Sequence, residues 1–295
     1  MKKLLMAVVL MVMSGRASAA QFSDLAVKAA DLEALAATDG FTIPAVHRGY
    51  VVGNGSPRQI EWITINGGKF TMGTDSDGHV YSHDASPIHD VSIKAFEMSR
   101  THVTVFQYAE CVKAGKCTVP YISDGCNWGV AGRETHPVNC VSWTQAKQYA
   151  KFKGARLPSE SEWEYAATSG GKNQKYPWGN EDATCDLAVM ALNNVDGCGK
   201  MTTLPVCSKP AGNTAQGLCD MAGNVWQWMQ DKYQDSYSGV PADGSAFEGA
   251  AHNSRVLRGG AFDTDGPVGL RADYRSEYPE PVVRPFIGFR LARSR

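Results

Sequence analysis

Carboxylate and guanidinium side chains cluster near the carboxyl end of this 295-residue chain, in the stretch RGGAFDTDGPVGLRADYRS. Asp263 and Asp265 stand two residues apart, which would suit a carboxylate pair for acid–base chemistry. DTDG is also a strong turn sequence, and we prefer the interpretation of a solvated turn. Arg271 and Arg275 follow and are candidates for clamping an anionic or peptide ligand, with structural pairing to Asp or Glu as the equal alternative.

A second group of possible ligands lies in DGHVYSHDASPIHDV, where His79, His83 and His89 accompany aspartates. Imidazole and carboxylate groups bind iron or zinc. The surrounding residues are typical of a loop, so we interpret these histidines as structural. The sequence contains no G-x-S-x-G, P-loop or H-E-x-x-H motif, and hydrolase and nucleotide-binding functions therefore have no support.

The cysteines form a third group, and their number is even, at eight. None belongs to a C-x-x-C pair, which argues against zinc and redox motifs. In an exported chain such a count predicts disulfides, with buried free thiols as the alternative. The sequence does not fix the connectivity, but closeness along the chain suggests four bonds: Cys111–Cys117, Cys126–Cys140, Cys185–Cys198 and Cys207–Cys219.

The N-terminus has the pattern of a secretory signal peptide, predicted over residues 1–19. Two lysines precede an apolar run at 4–13, which is too short to span a bilayer, and an Ala-Ser-Ala sequence follows. We therefore expect an exported protein, periplasmic or secreted, with a leader at 20–57 and a domain at 58–295. No later stretch is long and apolar enough to span a membrane.

The overall charge excludes some partners. The formal net charge is −1, so the chain lacks the basic footprint that nucleic-acid binding requires. It also lacks a polybasic patch for anionic lipids. A hydrophobic content of 43% is ordinary for a globular protein.

The elements that must position these side chains are short. Apolar residues recur at helical spacing in three segments, and Ser159 with Glu162 has the spacing of a capping box. After Tyr176 the chain is rich in Gly, Asn, Asp, Pro and Trp, which predicts an α+β domain with a large loop fraction. The predicted helices are 103–115, 142–154 and 157–171, with a further helical pattern at 25–37, and the predicted strands lie in 60–73, 91–99, 255–262 and 286–293.

Seven motifs between about residues 60 and 293 together resemble the formylglycine-generating enzyme, or sulfatase-modifying factor, family. The resemblance implies a fold related to C-type lectins, with little regular secondary structure, that is stabilised by disulfides and calcium ions. It also implies kinship with oxidases that convert a sulfatase cysteine to formylglycine using copper and oxygen, with ergothioneine sulfoxide synthases and with siderophore-maturation proteins. The motifs are GGKFTMGT, SPIHDVSIKAFEMSRTHVTVFQYAECV, HPVNCVSWTQAKQYAKFKGARLPSESEWEYAA, YPWGNE, GLCDMAGNVWQW, RVLRGGAF and FIGFRLAR.

The resemblance implies two calcium sites in loops. The first lies in CDLAV…DGCG, where Asp186 and Asp196 would supply carboxylates and Leu187 and Cys198 carbonyl oxygens. A pair of solvated surface aspartates is the alternative.

The second implied calcium site lies in GLCDMAGNVWQW. Asp220 and Gln227 would bind through their side chains, and Gly223 and Val225 through their carbonyl oxygens. The family usually has Glu at position 227, so Gln keeps an oxygen but loses a charge, while Asp220 restores one where some members have Asn. A tight turn held by tryptophan packing without metal is the alternative.

The copper centre of the family is not matched. The oxidases hold copper(I) with two cysteines that follow a GGS motif, because thiolates suit this soft ion. Here Ala261 replaces the motif serine and no cysteine follows Cys219, so we expect no copper and no formylglycine-generating activity. The sequence favours a binding or regulatory module that recognises a protein segment or a small ligand. The alternative is an oxidoreductase of altered chemistry.

Overall fold

The computed structural model describes residues 59–74, 83–249 and 253–295. The predicted signal peptide, leader and helical pattern at 25–37 lie outside these residues, as do His79 and the side chain of His83. Helices in the described ranges are short, and they are α1 (Val105–Lys113), α2 (Trp143–Phe152), α3 (Glu160–Ala167) and the helical turn α4 (Asp196–Gly199), with 3₁₀ turns at His83–Ala85, Pro210–Gly212 and Val268–Leu270.

Nine strands within the same ranges form three small sheets with the orders β1-β4-β9, β2-β3 and β7-β6-β5-β8. All neighbours are antiparallel except β5 and β8, which run parallel. The strands are β1 (Trp62–Ile65), β2 (Gly68–Met72), β3 (His89–Ile93), β4 (Phe96–Ser99), β5 (Trp226–Lys232), β6 (Ser254–Arg258), β7 (Arg275–Pro279), β8 (Ile287–Gly288) and β9 (Ala292–Ser294).

Capping residues and glycines mark the ends of the three main helices. The predicted capping box of α3 is present, since the Ser159 side chain accepts from the Glu162 N–H and the Glu162 side chain accepts from the Ser159 N–H. Helices α1 and α2 begin with the same motif, with Gln in the place of Glu. Gly115 and Gly154, at φ 65° and 64°, follow α1 and α2 in the left-handed conformation that ends many helices.

The prediction of a single strand at 91–99 is wrong, because this segment contributes to two sheets. Strand β3 pairs with β2, whereas β4 pairs with both β1 and β9. The chain changes sheets between Ile93 and Phe96, where Gly67 packs against it. A Cβ on Gly67 would lie 2.4 Å from the Ile93 carbonyl oxygen, so only glycine permits this crossing.

The closing segment 286–293 is likewise two strands, β8 and β9, in different sheets. Two further strands are absent from the sequence predictions. Strand β5 begins inside the stretch that we interpreted as calcium-binding turns, and β7 follows the DTDG region. Both carry polar residues at most positions, so the alternation of apolar and polar residues that indicates a strand is weak.

Two hydrophobic clusters form most of the core. One surrounds the fully buried Trp163 of α3 and includes inward residues of β2, β3 and β4. The other surrounds Trp228 of β5 and includes Tyr108 of α1, Tyr149 of α2 and Phe289. All eight residues of α3 are buried, because sheets flank this helix on more than one side.

All four disulfides that closeness along the chain suggested are present, and no free cysteine occurs among the described residues. The bonded cysteines are separated by 6 to 14 positions, so each bond closes a local loop. Disulfides are typical of oxidising compartments. Within the same ranges, no helix is long and apolar enough to cross a bilayer.

We predict that the purified protein, denatured without reductant, contains no reactive thiol. Each cysteine has its partner in the structure, so denaturation alone releases none. A thiol titration in guanidinium chloride measures this directly, with a reduced sample as the control for complete reactivity. Two or more reactive thiols per chain in the unreduced sample would contradict the pairing.

Candidate functional site

Backbone contacts bring the first predicted calcium loop against the DTDG turn. The Gly197 N–H donates to the Phe262 carbonyl oxygen at 2.7 Å. Asp263 is half-buried beside this contact, and burial, reinforced by the neighbouring carboxylate of Asp196, raises the pKa of Asp263 to about 6. Asp265 is exposed. The carboxylate that acts on Asp263 therefore belongs to another loop, and not to the predicted pair with Asp265.

The first predicted calcium loop is closed by the Cys185–Cys198 bond. Asp186 is exposed and Asp196 is half-buried, and each lies within two positions of a bonded cysteine. The Leu187 carbonyl oxygen, in contrast, is directed at the backbone of Gly212, where a Cβ would lie only 1.8 Å away. Among the described residues, no group of three or more His, Cys, Asp or Glu side chains is arranged to hold a metal ion.

In the second predicted calcium stretch, Gln227 is fully buried and engaged by protein donors. Its side-chain oxygen accepts the Trp163 indole N–H at 2.7 Å and the Arg290 Nε–H at 2.6 Å. Burial lowers the pKa of Arg290 to about 9, although the Asp220 carboxylate counteracts this, so the guanidinium is charged at neutral pH. The side chain expected to bind calcium binds a cationic side chain instead.

Two other predicted ligands of this stretch, Asp220 and Gly223, also have internal partners. One carboxylate oxygen of Asp220 accepts the Cys207 N–H at 2.7 Å. The Gly223 carbonyl oxygen accepts the Val225 N–H at 3.0 Å. Asp220 is buried, which raises its pKa to about 6. The structure brings these residues together, with protein donors bound to the side chains of Asp220 and Gln227.

Of the two interpretations left open for Arg275, ligand clamping does not fit the structure, because its side chain is only 1% exposed. Its Nε and Nη2 groups donate to the two carboxylate oxygens of Glu160 at 2.7 and 3.0 Å. The guanidinium also lies 4.5 Å from the ring centroid of Tyr237. Burial alone would raise the pKa of Glu160, but Arg275 and Arg258 bring it below its ordinary value. The structural alternative, pairing with a carboxylate, is therefore the correct one for Arg275.

Arg271 has a different position, on the wall of a cavity of about 790 Å³. It donates to both carboxylate oxygens of Asp273, at 2.8 and 2.5 Å. Lys172 and Lys175 also line the cavity, are exposed, and make no ion pair within the described ranges. Two carboxylates also line the cavity, Asp273 and Glu164, and each is paired with an arginine. The three cations of the lining, Arg271, Lys172 and Lys175, outnumber these carboxylates, which suits an anionic ligand.

A buried acid, Glu164, lies at the base of the same cavity. One of its oxygens accepts the Gly73 N–H at 2.8 Å and the other is bound by Arg258. Burial raises its pKa to about 7, against the effect of Arg258. Sequence reasoning missed Glu164 because it reads as an ordinary residue of α3, and it missed the lysines because KNQK reads as a polar loop. The K-x-x-K spacing is their only sequence signal.

The fold and the site define a class of protein. A family model described as the sulfatase-modifying factor enzyme 1-like domain matches residues 51–295, and the chain belongs to this family. The family assignment from the seven motifs is thereby confirmed, as is a mixed α and β fold with four disulfides.

Named relatives include both active and inactive proteins. The chain is similar to the formylglycine-generating enzyme of Streptomyces coelicolor, with 30% identity over 68% of this chain and 78% of the relative. It is equally similar to the inactive C-alpha-formylglycine-generating enzyme 2 of Bos taurus, with 30% identity over 75% of this chain and 82% of the relative. The structure of PvdO from Pseudomonas aeruginosa superposes with a TM-score of 0.69, with 29% identity over 82% of this chain and all of that one.

We predict that Arg275→Met lowers the free energy of unfolding by about 3 kcal/mol, because it leaves the buried Glu160 without its main partner. Arg284→Met, which changes an exposed arginine, should cost less than about 0.5 kcal/mol. Urea denaturation of both variants measures the difference. Equal and small effects would show that Arg275 is not a structural residue and would return it to the ligand-binding candidates.

Proposed function

We propose that this protein is an exported binding module on the sulfatase-modifying factor scaffold, without formylglycine-generating activity. The observation that carries the proposal is the absence of any thiolate for copper(I): the eight cysteines are all bonded to one another. The loop that follows Gly260 offers Asp, Thr and Asp oxygens, which are poor ligands for this soft ion. A bovine relative named as inactive supports the idea that the scaffold persists without the activity.

The ligand that we propose is anionic and binds in the cavity of about 790 Å³. Lys172 and Lys175 give the rim a positive charge, and Arg271 adds a guanidinium on the wall. Phe70 and Ile88 add apolar surface, and Ile88 is 41% exposed. A carboxylate-bearing small molecule or an acidic protein segment with an apolar group matches this lining.

Calcium at the loop closed by Cys185–Cys198 is part of the proposal, with a structural role. Asp186 and Asp196 supply the side-chain ligands, and Leu187 and Cys198 supply carbonyl oxygens. A bound cation would offset the negative charge of these two carboxylates. A cation would also relieve the interaction between Asp196 and Asp263.

An oxidoreductase of altered chemistry is the second candidate. The half-buried Asp263, with its pKa raised to about 6, is placed to exchange protons near neutral pH, and the similarity to a formylglycine-generating enzyme favours redox chemistry. Metal analysis of the purified protein separates the two candidates. A redox metal near one per chain supports the oxidoreductase, and its absence supports the binding module.

We predict that the protein does not convert a C-x-P-x-R sulfatase peptide to formylglycine, even with added copper and reductant. The residues at the copper position carry no sulfur, and the bonded cysteines lie at or before position 219. Mass spectrometry of the peptide detects conversion as loss of the thiol. Copper-dependent conversion well above the no-protein control would contradict the binding-module proposal.

We predict that Lys172→Ala/Lys175→Ala weakens binding of citrate, used as a model anion, by about tenfold (about 1.4 kcal/mol). Removing two cations from the rim lowers the electrostatic attraction for a carboxylate. Isothermal titration calorimetry at low salt measures the affinity. The control is Lys113→Ala/Lys151→Ala, a double variant of exposed lysines on α1 and α2. Its net charge equals that of the cavity variant. An equal loss in both variants would mean that citrate does not bind in the cavity.

A further inference from the structure

We infer that the guanidinium group of Arg290, and not a calcium ion, is the resident cation of the stretch 219–228. Every N–H of this group has an acceptor. Nε donates to Gln227 Oε1 at 2.6 Å, and the terminal nitrogens donate to four backbone oxygens at 2.7–3.3 Å. These backbone oxygens belong to Ser99, Arg100, Cys219 and Asp220.

The side-chain oxygen of Gln227 has no capacity left for a metal. An amide oxygen carries two lone pairs, and this one accepts from both Trp163 and Arg290. A calcium ion at bonding distance from it would have to displace one of these donors. Displacing Trp163 would leave a buried indole N–H unpaired, and displacing Arg290 would leave a buried charge unpaired.

Charge balance gives the same answer. Asp220 and Arg290 are both buried, and their charges of −1 and +1 cancel. A calcium ion would add two positive charges, and among the described residues no carboxylate other than Asp220 acts on Arg290 to offset them. A glutamate at position 227 would supply such a charge. The neutral glutamine of this chain instead matches a site whose cation is the singly charged side chain of Arg290.

Arg290 also joins two sheets. Ser99 ends β4 in the sheet β1-β4-β9, and Gln227 belongs to β5 in the sheet β7-β6-β5-β8. A single guanidinium therefore bonds both sheets to the loop at Cys219 and Asp220. It follows that this junction forms without calcium, and that chelation leaves it intact.

Calcium stoichiometry of the mature protein tests this inference. Equilibrium dialysis against micromolar calcium, followed by metal analysis, is carried out on the wild type, Asp196→Ala and Asp220→Asn. We expect at most one calcium per chain, lost in Asp196→Ala and unchanged in Asp220→Asn. No bound calcium in any sample would also support Arg290 as the resident cation, and would contradict only the proposed ion at Asp186 and Asp196. An ion that persists in Asp196→Ala and disappears in Asp220→Asn would overturn the inference.

A second measurement tests the role of Arg290 itself. Arg290→Lys keeps the charge but loses the planar fork, so its thermal midpoint should fall by the same amount in calcium and in chelator. Arg293→Lys changes a partly exposed arginine that pairs with Glu97, and it should shift the midpoint much less. Rescue of Arg290→Lys by calcium alone would overturn the inference. If Arg290→Lys does not fold, the calcium stoichiometry decides.

Discussion

Buried guanidinium groups supply the hydrogen-bond donors that the irregular backbone of this fold needs. A loop carbonyl group that is removed from water costs free energy unless it is paired, and much of this domain lies outside helices and strands. Three almost fully buried arginines, Arg258, Arg275 and Arg290, meet that need. Together they donate to backbone oxygens of Asp84, Ser99, Arg100, Cys219, Asp220, Gln234, Ala272, Asp273 and Tyr274.

The arginines and the disulfides stabilise the fold over different distances. The disulfides join cysteines 6 to 14 positions apart, so they restrict single loops in the unfolded chain. Arg290 reaches the backbone of Ser99 across 191 positions, and Arg275 reaches Glu160 across 115. The disulfides shape individual loops, while the arginines fix how distant loops and sheets meet. Loss of one buried arginine should therefore disturb tertiary structure more than loss of one disulfide.

The features that the sequence predicted correctly depend on near neighbours. The capping box at Ser159 and Glu162, the glycines after α1 and α2, and the pairing of adjacent cysteines all follow from chemistry within a few positions. The split of 91–99 into two strands depends on which distant strands pair with it. The roles of Arg275 and Gln227 depend on partners 115 and 63 positions away. The resemblance implied a calcium ligand at Gln227, and residue type allowed a ligand clamp at Arg275. Neither shows which cation or carboxylate already occupies the space.

The residues that shape the DTDG turn are separate from the charged residues that hold the core. The turn at the copper position is closed by its own residues, with the Thr264 hydroxyl accepting the Ala261 N–H at 2.9 Å and the Ala261 carbonyl oxygen accepting the Thr264 N–H at 3.1 Å. The charged groups that hold the core lie elsewhere, at Arg258 and Arg275 with Glu160 and Glu164 on α3. The turn keeps its shape through its own hydrogen bonds, which is compatible with the proposed absence of copper at this position. The cavity beside α3 then retains its cationic lining, which makes binding without redox chemistry a physically self-consistent use of this domain.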